Sequence, residues 1–435
     1  MLVLYISFGF VLFLALLYVS KLHYNEYFSP AAIFFFIFWL HAFIDPYLRL
    51  QFSPAFEPTS WHILTSYNIG CYIAILIGFG LHSLSTPRLA RRALVRDGES
   101  GFELRSFLNT TTFKFLFFVG LGVMLLYLIA LVQLGGLATR KGGLGSGEKA
   151  TLQNVAQFIN VILLVIPALF IASRSRWVRW RFAKHSYVLL TVLVFIQSVV
   201  IFGRQSILAL SLLFLIVIHY RFRKINVRYI IAIFILVLSV GYFSLFRRAG
   251  VGILDLSIDQ IAALTASGRV TLSEGFMMIV QSVPGQEVFS NVIPYFHFNK
   301  FWYGISYIES FFGRVLPLEL LGWDRGLNPT FWYQDTILSR YSYGRDFSMV
   351  AESYMNFGYI GILVFLVLGI FLGFLNRKIY TSRSPVMFLW CCLMIVNLCI
   401  SLRSDSNPLF ARAIYPILPF IFLRWYHMLS VRNGR

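Results

Sequence analysis

Residues 187–220, YVLLTVLVFIQSVVIFGRQSILALSLLFLIVIHY, form an apolar run broken by one formal charge, Arg204. As a single helix this run would be about 51 Å long. A bilayer hydrocarbon core is only about 30 Å thick. The stretch therefore reads as two membrane spans with a tight turn at Arg204.

The whole chain repeats this character. Of its 435 residues, 58% are hydrophobic and 13% charged, against roughly 25% charged in a soluble domain. Mean hydropathy is +0.74. These values exclude a soluble globular enzyme and a disordered chain. An outer-membrane barrel is excluded too, because its strands alternate polar and apolar residues. Eleven candidate spans lie near 2–20, 30–48, 61–82, 112–134, 153–173, 187–203, 205–220, 229–246, 351–375, 385–402 and 411–429. The expected fold is an all-α polytopic membrane protein. It divides into a bundle at 1–246, a large loop at 247–350 with short interfacial helices, and a second bundle at 351–435. The apolar start, with no basic n-region or small-residue cleavage site, reads as a retained first span. Cys71, Cys391, Cys392 and Cys399 lie in apolar runs and read as small core residues.

The net charge of +19 would suggest nucleic acid for a soluble protein. In this composition it reads as the positive-inside bias, with no nucleic-acid partner. One set of alternate loops holds 21 Lys and Arg, including Arg88, Arg91, Arg92, Arg174, Arg221, Arg377 and Lys378. The opposite set holds 15, eight of them in the long segment, which leaves 7 in its short loops. Short loops carry the rule. The N-terminus is then periplasmic, the C-terminus cytoplasmic, and residues 247–350 periplasmic.

That segment is rich in aromatic residues, which points to the membrane surface. Asp255 or Ser257 can cap a helix presenting Ile258, Ile261 and Leu264 on one face. A second helix is expected from Thr271 through Val283, ending before Pro284-Gly285. The remainder reads as loop with short helical pieces. Trp302, Trp323, Trp332, Tyr333 and Tyr341 fit either sugar-stacking faces or an interfacial belt.

Several chemistries find no support. The sequence has no P-loop, dinucleotide fingerprint, His-Glu-x-x-His motif, Cys/His cluster or Gly-x-Ser-x-Gly elbow. No metal site and no cofactor are expected. Apart from Asp45, few acids sit deep in spans, so the marks of a proton-coupled transporter are sparse.

Arginine at the outer helix ends stands out: Arg204, Arg247, Arg248, Arg269, Arg340, Arg345, Arg403 and Arg412. A guanidinium offers five donors in a fixed fork that suits phosphate oxygens. Such residues also snorkel to headgroups without any ligand. The nearby acids are Asp346, Glu352 and Asp405. Each can take a proton from a sugar hydroxyl, or pair with a neighbouring arginine. His297, the sole histidine of the long segment, is a further candidate base or a plain interface residue.

The motifs carry a family resemblance. Phe-Gly-Arg-Gln-Ser at 202–206, Gly-Arg-Val-Leu-Pro at 313–317, Met-Val-Ala-Glu-Ser-Tyr-Met-Asn-Phe-Gly-Tyr-Ile-Gly-Ile at 349–362 and Leu-Arg-Ser-Asp-Ser at 402–406 are its residues. With many spans and one late periplasmic loop, the chain resembles the Wzy-type O-antigen or oligosaccharide repeat-unit polymerases. The resemblance implies a GT-C-like inner-membrane glycosyltransferase working on the periplasmic side without a metal. Donor and acceptor would both be undecaprenyl-diphosphate-linked oligosaccharides, with membrane lipid around them and a chain-length regulator as a further partner. By position it implies diphosphate or glycan binding by Arg204, Arg269, Arg340, Arg345, Arg403 and Arg412, and acid–base or orienting work by Glu352 or Asp405. The alternatives are an O-antigen ligase, a lipid-linked oligosaccharide flippase or transporter, and a noncatalytic assembly partner. The unequal spans and the single large loop argue against a flippase, which is expected to show two similar halves.

Overall fold

Apolar segments in lipid must satisfy their backbone internally, and helices do so. In the computed structural model the described residues are 2–24, 29–44, 61–85, 109–133, 159–175, 178–201, 204–222, 286–297, 301–315, 328–337, 347–382, 384–402 and 406–433, with a few isolated positions. Among them there is no strand. The helices are α1 (Leu2–Tyr24), α2 (Pro30–Trp39), α3 (Trp61–Leu84), α4 (Thr110–Gln133) and α5 (Ile162–Ser173). Then come α6 (Ala183–Ile201), α7 (Arg204–Arg221), α8 (Gln286–His297), α9 (Ile305–Val315) and α10 (Pro329–Thr336). The last are α11 (Met349–Phe357), α12 (Ile362–Thr381), α13 (Pro385–Ser401), α14 (Ser406–Ile414) and α15 (Leu418–Asn433).

The run at 187–220 is thus two helices, with Arg204 opening the second. Among the described residues, four stretches are long and apolar enough to cross a membrane: Tyr5–Leu22, Trp61–Ser83, Thr110–Ile129 and Met349–Thr381. Shorter apolar helices cover Pro30–Ile44, Ile162–Ser173, Ala183–Ile196, Ile207–Arg221 and Pro385–Ser401. The protein is a polytopic membrane protein whose described residues are all-helical. The expected span at 229–246 and the expected helix at 271–283 lie outside the described residues, as does Asp45.

The chain groups into two compact units, residues 1–95, 234–377 and 395–410 in one, and 96–233, 378–394 and 411–435 in the other. In the first, Ser29 caps α2 by accepting from the Ala32 N–H at 3.2 Å, and Pro30 at the first position costs no bond. The α2 start also donates from the Ala31 N–H to Asn376 Oδ1 at 3.3 Å. Phe38 stacks on Phe365 at 5.7 Å with the rings 8° apart. Helices α3 and α12 meet backbone to backbone. A Cβ at Gly78 would collide with the Leu366 carbonyl oxygen, and one at Gly369 with that of Ile75. Small residues of this kind let membrane helices pack at van der Waals range.

In the second unit α5 is the central helix, buried from Ile162 to Ala172, and packs against α4, α6 and α7. Two arginines from the basic loops have partners here. Arg174 lies 4.8 Å from the Phe170 ring and 4.5 Å from that of Phe222. Arg221 donates to the Ser382 carbonyl at 2.9 Å and lies 4.1 Å over Phe388.

The segment expected as one span at 351–375 is interrupted. Helix α11 ends at Gly358, whose φ of 56° and ψ of −138° lie in a region essentially reserved for glycine. A 3-10 turn, Gly358–Gly361, then leads into α12. Hydropathy runs on through the break, so composition does not reveal it.

Candidate functional site: a buried carboxylate latch

Three polar residues recur every four positions here: Ser348 at the N-cap of α11, then Glu352 and Asn356 within it. That spacing puts them on one helix face. The helix is buried from Met349 to Asn356, so each polar group needs a partner. Glu352 is 0% exposed. Its Oε1 accepts from the Ser306 hydroxyl at 2.8 Å and from the Ser406 hydroxyl at 2.8 Å. Its Oε2 accepts from the Ser406 backbone N–H at 2.7 Å. Ser306 lies at the start of α9 and Ser406 opens α14. One carboxylate therefore ties three helices together, with negative charge at two helix N-termini, where the helix dipole favours it.

Asn356 completes the arrangement. Its Nδ2 donates to the Ser306 hydroxyl at 2.7 Å and to the Glu352 carbonyl at 2.9 Å. Its Oδ1 accepts from the Gly304 N–H at 3.0 Å. The turn before α9 caps the end of α11: the Trp302 N–H donates to Met355 O at 3.1 Å and the Tyr303 N–H to Asn356 O at 2.9 Å. Tyr303 and Gly304 reach this with φ of 51° and 87°. On the side toward α3, Tyr67 shares a hydrogen bond with Ser353 at 2.8 Å.

Four more hydroxyls lie buried in these segments without a hydrogen-bond partner among the described residues: Tyr307, Ser348, Ser401 and Ser404. Burial pushes the Tyr307 phenol well above its ordinary value, and the Glu352 charge pushes the same way. Tyr307 is therefore a neutral hydroxyl across the physiological range.

Of the residues singled out in the sequence, Glu352 is the centre of this network. Arg412 is half-buried in the last turn of α14. Arg204 begins α7, and its side chain is not among those described. Arg269, Arg340, Arg345, Arg403 and Asp405 lie outside the described residues. His297 is the last residue of α8. Sequence reasoning missed Ser306, Asn356, Ser406 and Tyr307. The four-residue step from Glu352 to Asn356 was a readable signal for Asn356. The serines are ordinary residues 46 and 54 positions away from Glu352.

Comparison with curated proteins and with solved structures gives no match. The profile of the family O-antigen polysaccharide polymerase Wzy matches residues 1–433. Matched over essentially its full length, this polytopic membrane chain belongs to the O-antigen polysaccharide polymerase Wzy family.

Proposed function

We propose that the protein is a bacterial inner-membrane polymerase that moves a growing glycan from undecaprenyl diphosphate onto an incoming undecaprenyl-diphosphate-linked repeat unit. The observation that carries this reading is the family match across residues 1–433. In the reaction an acceptor sugar hydroxyl attacks the donor anomeric carbon. The bond from that carbon to the phosphate oxygen breaks, and its electron pair leaves with the diphosphate. The hydroxyl proton passes to a base.

The departing diphosphate gathers negative charge, and preorganised donors aimed at that charge lower the barrier. Arg204, Arg269, Arg340, Arg345, Arg403 and Arg412 take this role in the proposal, which needs no metal. In the same proposal the N-terminus and the active site are periplasmic and the C-terminus is cytoplasmic, as the loop charges favour. Between base and orienting group, Glu352 is assigned the orienting role. A carboxylate offers about four lone-pair sites, and three donors already occupy it. Asp405, next in the chain to Ser406, is left as the base.

Purified protein in nanodiscs, given lipid-linked repeat units without metal or nucleotide, should yield a ladder of longer products. Its absence, with a working polymerase as control, overturns the reading. In cells, deletion should leave single repeat units on the lipid A core. A strain with no repeat units on the core would indicate a ligase.

A further inference from the structure

Four aromatic side chains from three separate segments converge in the long extramembrane stretch: Tyr295 and Phe296 of α8, Trp302 of the turn before α9, and Trp332 of α10. Phe296 meets Trp302 at 5.8 Å and Trp332 at 5.1 Å. The two indoles meet at 5.5 Å with planes 83° apart, and Tyr295 meets Trp332 at 5.0 Å. Such edge-to-face geometry is the favoured one for aromatic pairs. Phe296 is 1% exposed and forms the base, while Tyr295 is 40% exposed. Trp302 and Trp332 are half-buried between them.

The cluster is held rigidly. The Trp302 N–H is bonded to Met355 O of α11, at 3.1 Å. Beside Trp332, Tyr333 is fully buried, accepts from Asn291 Nδ2 at 2.9 Å and packs against Phe347 at 5.7 Å. Helix α8, which supplies the base, is pinned by Phe289 between Tyr67 and Tyr354, at 5.3 and 5.5 Å. A surface already ordered in this way loses little freedom when it binds.

We propose that Tyr295, Trp302 and Trp332 form a glycan subsite, which seats one sugar ring of the lipid-linked oligosaccharide beside the Glu352 latch. The proposal rests on the polymerase reading for the identity of the glycan. A pyranose ring has an apolar C–H face rimmed by hydroxyls. The platform matches it with aromatic faces, two indole N–H donors and a phenol. Its place fits as well, because Trp302 is bonded to α11 only three residues beyond Glu352. A membrane belt is built differently: separate amphipathic rings at headgroup level. The lipid-like surface in this region is the outer face of α9. There Ile308 and Phe312 are 57% and 47% exposed and carry no polar group.

The test uses the full chain in nanodiscs, with tryptophans replaced by 5-fluorotryptophan and two fluorine signals assigned by W302F and W332F. Lipid-free repeat-unit oligosaccharide should shift both signals. In turnover, W332L should raise KM for the lipid-linked repeat unit about tenfold, the value of one aromatic contact, with kcat within about twofold. W332F should recover part of the loss. Signals that ignore the sugar, with wild-type KM in W332L, overturn the proposal. So does broadening by brominated lipid tails in place of a response to sugar, which identifies a belt. If wild-type protein makes no polymer, the polymerase reading fails, while the fluorine titration still decides whether the aromatic site binds sugar.

Discussion

Glu352 and Ser406, 54 residues apart, are joined twice: the hydroxyl donates to Oε1 at 2.8 Å and the backbone N–H to Oε2 at 2.7 Å. Both bonds are charge-assisted, and each such bond contributes roughly 1.5–3 kcal/mol. The pair is fully buried, so neither partner has water to fall back on.

An orienting role for Glu352 separates two substitutions. Glu352→Ala strands the Ser306 and Ser406 donors and should abolish polymer ladders along with thermal stability in detergent. Glu352→Gln can turn its carbonyl to the Ser406 N–H and its amide to the serine hydroxyls. It should keep a tenth or more of the activity, on the order of 1.4 kcal/mol per tenfold. A folded but wholly inactive Gln variant would instead mark Glu352 as the base.

Ser406→Ala removes one hydroxyl bond but leaves the backbone N–H in place. The expected loss is about 1.5–3 kcal/mol of stability. Detergent melting curves of wild type and variant give the comparison, and an unchanged midpoint would contradict the latch.

At the α3–α12 crossing, Gly369→Ala forces two backbones apart. Overpacking of this kind costs about 1–3 kcal/mol. Gly80→Ala, on the same α3, meets nothing within 4 Å and should melt like wild type. Equal effects of the two would rule out the close contact.

Tyr307 gives a pH signature. Its raised phenol pKa means the folded state holds the proton more tightly than the unfolded chain, whose Tyr titrates near about 10. This contribution is complete below that pH and is lost as the pH rises toward the folded value. Tyr307→Phe should thus flatten the alkaline fall in stability. Because the hydroxyl has no partner among the described residues, the substitution should not lower stability at neutral pH.

The apolar helices were legible because lipid imposes one rule on every residue of a span. The length of the apolar runs placed α1, α3, α4 and the α6–α7 break near Arg204. Gly358 was not legible, since a dihedral angle leaves no trace in hydropathy. Nor was the latch, whose serines acquire meaning only when α9, α11 and α14 come together. Helices α8, α9 and α10 fell where loop with short helical pieces was expected. Their amphipathic runs are short, and Pro294 sits inside α8. The arginines that dominated the sequence reading at 269, 340, 345 and 403 lie outside the described residues, whereas Glu352, one of two acids weighed equally, is a described residue held by Ser306 and Ser406.

The latch also sets an order on biosynthesis. A ribosome releases Ser306 and Glu352 well before Ser406, so the nascent chain carries an incompletely matched anion until the Ser406 segment emerges. Locking therefore waits for that segment, and a premature stop before codon 406 should yield a membrane-inserted product that quality-control proteases remove.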